Sequence, residues 1–286
     1  MTRTYRERAL SAVKWSVSGD LVEQAIRLTF GVALARLLSP RDFGLIAMLT
    51  ALVQIASPLA GLGFGEALIQ RRQLSEAHRS SVFWVLMLIG CILTGGLFVG
   101  APAIAALYGL PELAPLAVVL SAVFVLDAIG WVPRAILARR LDFRVTAWLQ
   151  CAAAILAGAC AVTLAWQGFG AVSLAGDVLT TSAVESLLLF GASGWRPRLE
   201  IRMAALRDVL GFGANRLVAR ILTLSAASVD QLVVGKVLGS GALGFYVRAS
   251  NLTRLPVLNV SRSLVRAMFP SLAVIQEDAA RVREVY

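Results

Sequence analysis

Long apolar runs are the feature that most constrains how this chain can fold. A helix needs about 20 mostly apolar residues to cross the hydrocarbon core of a bilayer, and eight runs reach that length. Their approximate limits are 12–37, 43–68, 80–107, 112–137, 146–167, 169–192, 209–237 and 242–270. Because a helix satisfies its own backbone hydrogen bonds in lipid, we predict an all-α integral membrane protein with about eight transmembrane helices.

Composition excludes several other classes of protein. With 58% hydrophobic and 15% charged residues, the chain is too apolar for a water-soluble domain. The net charge of +10 would suit nucleic acid, but the basic residues lie mostly between the apolar runs, so we predict no nucleic-acid partner. Cys91, Cys151 and Cys160 lie inside apolar runs, and the single histidine, His78, lies among arginines. Their spacing predicts neither a metal site nor a cofactor.

The connections between the runs alternate in charge. One set is rich in basic residues, which face the cytoplasm by the positive-inside rule. These residues are Arg3, Arg6, Arg8 and Lys14 at the N-terminus, then Arg71, Arg72, Arg79, Arg139, Arg140, Arg144, Arg196, Arg198, Arg202 and Arg207. The opposite connections hold only Arg36, Arg41 and Lys236. The pattern predicts a multi-pass protein of the inner, cytoplasmic membrane with both ends of this chain in the cytoplasm.

A short internal repeat suggests how the runs are grouped. The sequence ARLLS at 35–39, followed by Gly44, matches GKVLG at 235–239, followed by Gly244, with an offset of 200 residues. The match predicts a six-helix bundle over 1–207, including a basic cytoplasmic linker, and the first two helices of a second bundle over 208–286. An even number of helices per unit would relate the units by an axis along the membrane normal. Chance similarity between two short turns is the alternative.

Several segments resemble one family in their order and spacing. They are ARLLSPRDFG at 35–44, GLGFGEALIQR at 61–71, SVFW at 81–84, PRAIL at 133–137, WRPR at 195–198, residues 234–246, FPSL at 269–272 and IQED at 275–278. Together they resemble the polysaccharide-transporter branch of the multidrug/oligosaccharidyl-lipid/polysaccharide superfamily. No single motif is diagnostic. The resemblance rests on all of these segments occurring in the same order along the chain.

The resemblance implies a fold and a function. The fold is two pseudo-symmetric bundles of six helices around a central cavity. The function is flipping or exporting lipid-linked oligosaccharide or exopolysaccharide units across the membrane by alternating access, with ion coupling and without enzymatic chemistry. The implied partners are the lipid bilayer, a lipid-pyrophosphate-linked glycan and the remaining C-terminal helices of the same transporter, since the sequence stops near the eighth span and has the appearance of a fragment.

Charged residues inside the first six spans are candidates for ion coupling. A charge at membrane depth is costly unless it is paired or faces water. Asp20, Glu23 and Arg27 share one face of the first span, where Glu23 and Arg27 can pair. Asp127 and Asp177 have no adjacent base in sequence, and the same holds for Glu185. A desolvated carboxyl can stay protonated and neutral, so these acids are candidate proton sites or, alternatively, hydrogen-bonded packing residues.

Basic residues in the last two spans are candidates for substrate binding. In the eighth span Arg248, Asn251, Arg254, Asn259, Arg262 and Arg266 fall within about 140° of one another at 100° per residue. Such a stripe cannot face lipid. We expect Arg254, Asn259 and Arg262, with Arg216 and Arg220 of the seventh span, to line a cavity for an anionic headgroup. The alternative is that these arginines neutralise membrane-buried acids such as Asp127 or Asp230.

Two other functions fit parts of the sequence. Extrusion of small cations, as in the multidrug branch of the superfamily, would favour an acidic cavity, whereas the membrane-depth charges here are nearly balanced. A membrane-bound glycan polymerase or glycosyltransferase would need catalytic carboxylates or histidines in a sizeable loop. The longest loop runs only from about Trp195 to Asp208, which disfavours an enzyme.

Overall fold

The computed structural model describes residues 2–61, 64, 68, 75–140, 142–203, 206, 222–224, 226, 228–251 and 253, with side chains from Trp15 onward except at 16 and 58. Across these ranges the regular structure is helical. The helices are α1 (Thr2–Leu37), α2 (Pro40–Gly61), α3 (Glu76–Tyr108), α4 (Leu113–Ser121), α5 (Val123–Arg140), α6 (Phe143–Trp166), α7 (Ala171–Ser193) and α8 (Leu222–Asn251). This confirms the prediction of an all-helical chain.

Six helical segments of the described chain are long and apolar enough to cross a membrane. They are α2, α3, the joined pair α4 and α5 as Leu113–Arg140, α6, α7 and α8. The 36-residue helix α1 is not among them, since Asp20, Glu23 and Arg27 interrupt its apolar surface. The structure therefore supports a multi-pass membrane protein, while the predicted count of eight spans goes beyond the described residues.

The ends of α3 follow from its sequence. Ser75 precedes the helix with an extended backbone, and its side chain accepts a hydrogen bond from the backbone N–H of His78, as an N-cap residue does. Gly109 ends the helix with φ +67°, and its N–H bonds to the carbonyls of Ala105 and Ala106. A left-handed residue at this position favours glycine. The helix α1 begins ten residues before the predicted span at 12–37, because helix-forming polar residues extend it back to Thr2.

The predicted turn after residue 237 lies within α8. Gly239 has φ +83°, which an α-helix cannot accommodate. A Cβ on Gly235 would lie 3.1 Å from Cδ2 of Leu243, although eight residues of straight helix span about 12 Å. The chain therefore doubles back at Gly239 as a helical hairpin, so the length of α8 counted above is shared between two arms and α8 is not one straight span.

Small residues allow the helices to pack closely. α6 lies between α1 and α7, α7 packs on α5, and α5 packs on α3, while α2 contacts α3, α4, α5 and α7. A Cβ on Gly158 of α6 would overlap the ring of Phe30 in α1, and a Cβ on Gly130 of α5 would lie 2.6 Å from Oγ of Ser186 in α7. Such small-residue contacts are typical of helix interfaces in membranes.

Large apolar side chains cover the outside of α3. Leu88, Ile92 and Val99 are exposed by 61%, 62% and 78%. A soluble protein rarely exposes so many large apolar side chains on one long helix, so this surface suits lipid.

The chain divides into two compact units, Met1–Gly244 and Phe245–Tyr286. The site described below lies in the first unit, and the described part of the second unit, 245–251 and 253, is helical.

Candidate functional site: a charged track along α7

One face of α7 carries three polar side chains within a candidate membrane span. Asp177, Thr181 and Glu185 are spaced by four residues and therefore lie above one another on the helix. The first and last are about 12 Å apart along the axis, at 1.5 Å per residue. We call these residues and the polar side chains that contact them from α1 and α5 the charged track. It has an outer and an inner cluster.

The outer cluster joins α1 to α7. Nε of Arg27 donates a hydrogen bond to Oε1 of Glu23 over 2.8 Å, and Asp177 interacts electrostatically with Arg27. The predicted pair of Glu23 with Arg27 is thus confirmed, and the structure adds Asp177 from a helix 150 residues later. Asp20 lies one turn before Glu23 on the same helix and is partly buried.

The inner cluster joins α5 to α7. A guanidinium N–H of Arg134 donates to Oε1 of Glu185 over 2.7 Å. Asp127 is hydrogen-bonded to Ser182 and interacts electrostatically with both Arg134 and Glu185. Two carboxylates, Asp127 from α5 and Glu185 from α7, therefore share one arginine. Glu185 has no adjacent base in sequence, and its partner lies 51 residues away.

In both ion pairs the arginine is more exposed than its acid. The side chains of Arg27 and Glu23 are 42% and 21% exposed, and those of Arg134 and Glu185 are 45% and 15% exposed. Both guanidinium groups therefore lie partly open at the surface of the described helices. Each ion pair engages one of the five N–H donors of its arginine, so further donors can reach other groups.

Two further buried polar atoms lie on the helices of the track. Oγ1 of Thr181 and Nε1 of Trp131 have no hydrogen-bond partner within the described part of the protein. Thr181 is one turn from both Asp177 and Glu185, and Trp131 lies between Asp127 and Arg134 on α5. A buried polar atom without a partner is costly, so the track contains hydrogen-bonding capacity beyond its two ion pairs. Among the described residues no group of His, Cys, Asp and Glu could hold a metal ion.

The connections that are poor in basic residues meet at one end of the first unit. Arg41 pairs with Glu112 over 2.9 Å, and a Cβ on Gly170 would lie 3.1 Å from Oδ1 of Asp42. Nζ of Lys236 donates to the carbonyl oxygen of Leu107. The α1–α2, α3–α4 and α6–α7 turns and the α8 hairpin therefore form one surface, which we call the turn face.

Two glycines make the closest contacts of the turn face. A Cβ on Gly44 would overlap the carbonyl oxygen of Ser240, and a Cβ on Gly244 would overlap the carbonyl oxygen of Pro40. Both contacts connect the start of α2 to the second half of the α8 hairpin.

At the opposite end the basic connections meet. Residues 194–203, which we call the linker, follow α7, have no regular structure as far as 202 and run past the start of α3. Nε1 of Trp195 donates to Oε2 of Glu76 over 2.9 Å, and the backbone N–H of Arg202 donates to Oγ of Ser81 over 2.8 Å. Arg140 at the end of α5 donates to the carbonyl oxygen of Ser193. The contacts thus separate the connections into the two sets that the arginine pattern predicts.

Comparison with known proteins decides the family. A family profile described as "Polysaccharide biosynthesis protein" matches residues 33–286, which is most of the chain. The chain belongs to the polysaccharide biosynthesis protein family.

Several known proteins are similar to this chain over almost its whole length. The lipopolysaccharide biosynthesis protein WzxC of Escherichia coli strain K12 is 28% identical over 97% of this chain and 57% of its own length. The succinoglycan biosynthesis transport protein ExoT of Rhizobium meliloti is 28% identical over 98% of this chain and 57% of its own. The teichuronic acid biosynthesis protein TuaB of Bacillus subtilis is 25% identical over 97% of this chain and 58% of its own length. The chain thus spans a little over half the length of these relatives.

A solved structure has a similar fold. It is the inward-facing conformation of a multidrug resistance MATE family transporter of the MOP superfamily, with a TM-score of 0.56, 19% identity, and coverage of 84% of this chain and 62% of that one. At this identity the similarity concerns the fold alone.

The structure brings some of the predicted site residues of this family member together. Glu23, Arg27 and Asp177 form the outer cluster, and Asp127 belongs to the inner one. The predicted anion-site residues Arg216, Arg220, Arg254, Asn259 and Arg262 lie outside the described residues.

Sequence reasoning missed Arg134 as a site residue. Arg134 follows Pro133 near the end of an apolar run, where an arginine is easily read as a side chain that reaches the cytoplasmic interface. A signal was available, since Asp127 and Arg134 are seven residues apart and lie on one helix face.

Proposed function

We propose that this chain is the N-terminal part of a transporter that moves lipid-pyrophosphate-linked oligosaccharide or exopolysaccharide units across the cytoplasmic membrane by ion-coupled alternating access. The observation that carries the proposal is the charged track, in which acids and arginines are held at membrane depth inside a bundle of a polysaccharide biosynthesis family member. A purely structural bundle would not retain four acids and two arginines at such cost.

The two clusters support a coupling role for the predicted residues Asp20, Glu23, Arg27, Asp127 and Asp177. In each cluster one arginine interacts with more than one carboxylate. Binding of a proton by one carboxyl would release the arginine to the other acid, so the ion pair would be exchanged and not simply broken. Such an exchange gives a bundle two arrangements of similar energy, which alternating access requires.

The second part of the proposal is a binding site for the anionic pyrophosphate of the substrate. Arg216, Arg220, Arg254, Asn259 and Arg262 would bind the pyrophosphate from one side of the cavity. Arginine suits this task because its planar guanidinium stays charged and can form two parallel hydrogen bonds with a phosphate. The half-exposed Arg27 and Arg134 supply further positive charge from the track.

The proposed architecture has eight spans, with a six-helix bundle over 1–207 and two helices of a second bundle over 208–286. Both ends of this chain are cytoplasmic, so the linker faces the cytoplasm and the turn face is extracytoplasmic. The cavity lies between the two bundles, and the remaining helices of the transporter complete it. The chain carries out no bond-making chemistry.

The test is transport by the protein as its gene encodes it, reconstituted in vesicles with an imposed proton gradient. A lipid-pyrophosphate-linked oligosaccharide and a lipophilic cation are offered separately. We expect movement of the glycan only. Gradient-driven export of the cation without movement of the glycan would favour the multidrug alternative, and sugar transfer would favour the polymerase.

The coupling residues are tested in the same vesicles. Asp177→Asn and Asp127→Asn each remove an acid from one cluster, and we expect at least a tenfold loss of gradient-driven transport with exchange in the absence of a gradient retained. Asp142→Asn is the matched control. Asp142 lies outside the track, precedes α6 and makes no side-chain capping hydrogen bond. Equal loss of driven transport in all three variants, or in none, would contradict the coupling role.

A further inference from the structure

The linker is held to the first bundle on both sides of its middle part. Trp195 near its start and Leu206 just beyond its end are 6% and 4% exposed, and both belong to one buried cluster with side chains of α3 and α5. Between them, the backbone N–H groups of Arg198 and Arg202 donate to the two buried serines at the start of α3. Buried side chains and backbone hydrogen bonds thus fix the path of the linker.

Three large apolar side chains of the linker nevertheless point outward. Leu199, Ile201 and Met203 are exposed by 89%, 61% and 75%. Because buried anchor points lie on both sides of them, these side chains cannot enter the core unless an anchor is released. Large apolar side chains that are grouped and exposed in this way mark a surface that binds a partner.

The linker crosses α3 where the polar start of this helix gives way to its apolar part. Residues 76–79 include three ionisable side chains, whereas 82–108 is almost entirely apolar. At this boundary Nε1 of Trp84 donates to the carbonyl oxygen of Arg198 over 2.8 Å. Tryptophan is enriched at the same level in membrane proteins, where the bilayer meets water. The exposed side chains that follow Arg198 therefore lie near the surface of a bilayer surrounding α3.

The charge next to these apolar side chains is mostly positive. The linker contains Arg196, Arg198 and Arg202 and a single acid, Glu200. Glu200 pairs with Arg202 over 2.6 Å, so the other two arginines have no acid of the linker left to neutralise them. Arg140, which is bonded to the last residue of α7, adds to the positive charge. This charge complements the phosphates of anionic lipids.

We infer that the linker is an anchor in the membrane surface. Leu199, Ile201 and Met203 insert between the lipid headgroups and the acyl chains, and Arg196 and Arg198 bind the phosphates of anionic phospholipids. Apolar side chains beside basic ones are the combination that holds interfacial segments on such a surface, and a guanidinium can form two parallel hydrogen bonds with a phosphate. The inference goes beyond transport, since the anchor contacts lipid whatever substrate the bundle moves.

Quenching of a fluorescent label tests the depth of the linker. In the protein as its gene encodes it, with native cysteines replaced, Leu199→Cys is labelled and reconstituted in vesicles of phosphatidylethanolamine and phosphatidylglycerol. A phospholipid brominated near its glycerol backbone should quench this label about as strongly as a label at Leu88→Cys, which lies on the outside of α3 and is 61% exposed. Iodide in the buffer should quench the Leu199 label about fivefold more weakly than the free label, because inserted side chains are shielded from water.

Two results would overturn the anchor. Quenching by iodide and not by the brominated lipid would show that the linker lies in water. Quenching by neither reagent would show that protein covers it, such as the remaining helices of the transporter. Met203→Cys, at a second exposed position of the linker, replaces Leu199→Cys if that variant does not insert or is not monodisperse in detergent.

Replacement of arginines tests the lipid charge. Arg196→Gln combined with Arg198→Gln should lower bromolipid quenching at Leu199 by about half in vesicles that contain phosphatidylglycerol, because the attraction to anionic headgroups is lost. The same pair should have no effect in phosphatidylcholine vesicles. The matched control is Arg36→Gln combined with Arg41→Gln, which removes two exposed arginines from the turn face and should leave quenching unchanged. Equal losses in anionic and neutral vesicles, or no loss in either, would overturn binding to anionic phosphates.

Discussion

Arg134 is placed so that its loss affects two acids at once. It pairs with Glu185 over 2.7 Å and interacts with Asp127, and Glu185 is the more buried partner of the pair. A carboxylate left alone in such a place costs more than the pair contributes, because desolvation is no longer offset by an opposite charge.

A double-mutant cycle tests this at the level of single residues. We expect Arg134→Gln to lower the free energy of unfolding by about 1–2 kcal/mol, a value reduced from that of a fully buried pair because Arg134 is half-exposed. Adding Glu185→Gln should restore part of the loss, since the unpaired charge is then removed. Thermal unfolding in detergent gives the comparison. A double variant no more stable than Arg134→Gln would show that the pair is not coupled.

At the scale of single residues, ion pairs within one helix could be predicted from the sequence better than ion pairs between helices. Glu23 and Arg27 are four residues apart on one helix, and helix geometry alone brings them together. Glu185 and Arg134 are 51 residues apart, and no periodicity connects α5 to α7 before their packing is known. The same limit applies to Asp177 and Arg27.

Single helices were predicted well because hydrocarbon thickness sets their length. The six apolar helical segments overlap predicted spans, and Gly109 marks the end of α3 as its position before Leu110 and Pro111 suggests. The polar N-terminal extension of α1 was not predicted, because hydropathy detects only the apolar part of a helix. The contacts between helices could not be predicted, since they depend on which glycine meets which neighbour.

The α1–α6 interface provides a test at the level of helices. A Cβ on Gly158 would overlap the ring of Phe30, so Gly158→Val should overpack the interface and cost about 1–3 kcal/mol. We expect a lower unfolding temperature in detergent. Gly95→Ala in α3 is the control, because a Cβ there meets nothing within 4 Å and alanine is the better helix former. If the two variants unfold together, α1 and α6 do not pack as described.

For the molecule as a whole, the arginine pattern gives an orientation that can be measured. With native cysteines replaced, Pro111→Cys on the turn face should react with a membrane-impermeant thiol reagent in intact cells. Arg140→Cys, at the exposed end of α5, should react only after the cells are permeabilised. The positive-inside rule predicts this sign. The reverse pattern would invert the proposed topology, and equal reaction at both positions would exclude a membrane between them.

The hydrogen bonds of the linker determine when the first bundle can be completed. Ser80 and Ser81 are fully buried at the start of α3, yet their hydroxyl groups accept bonds from the backbone N–H groups of Arg198 and Arg202. These partners are synthesised about 120 residues later. Because a buried hydroxyl without a partner is costly, the start of α3 gains its full stability only after the linker has been synthesised.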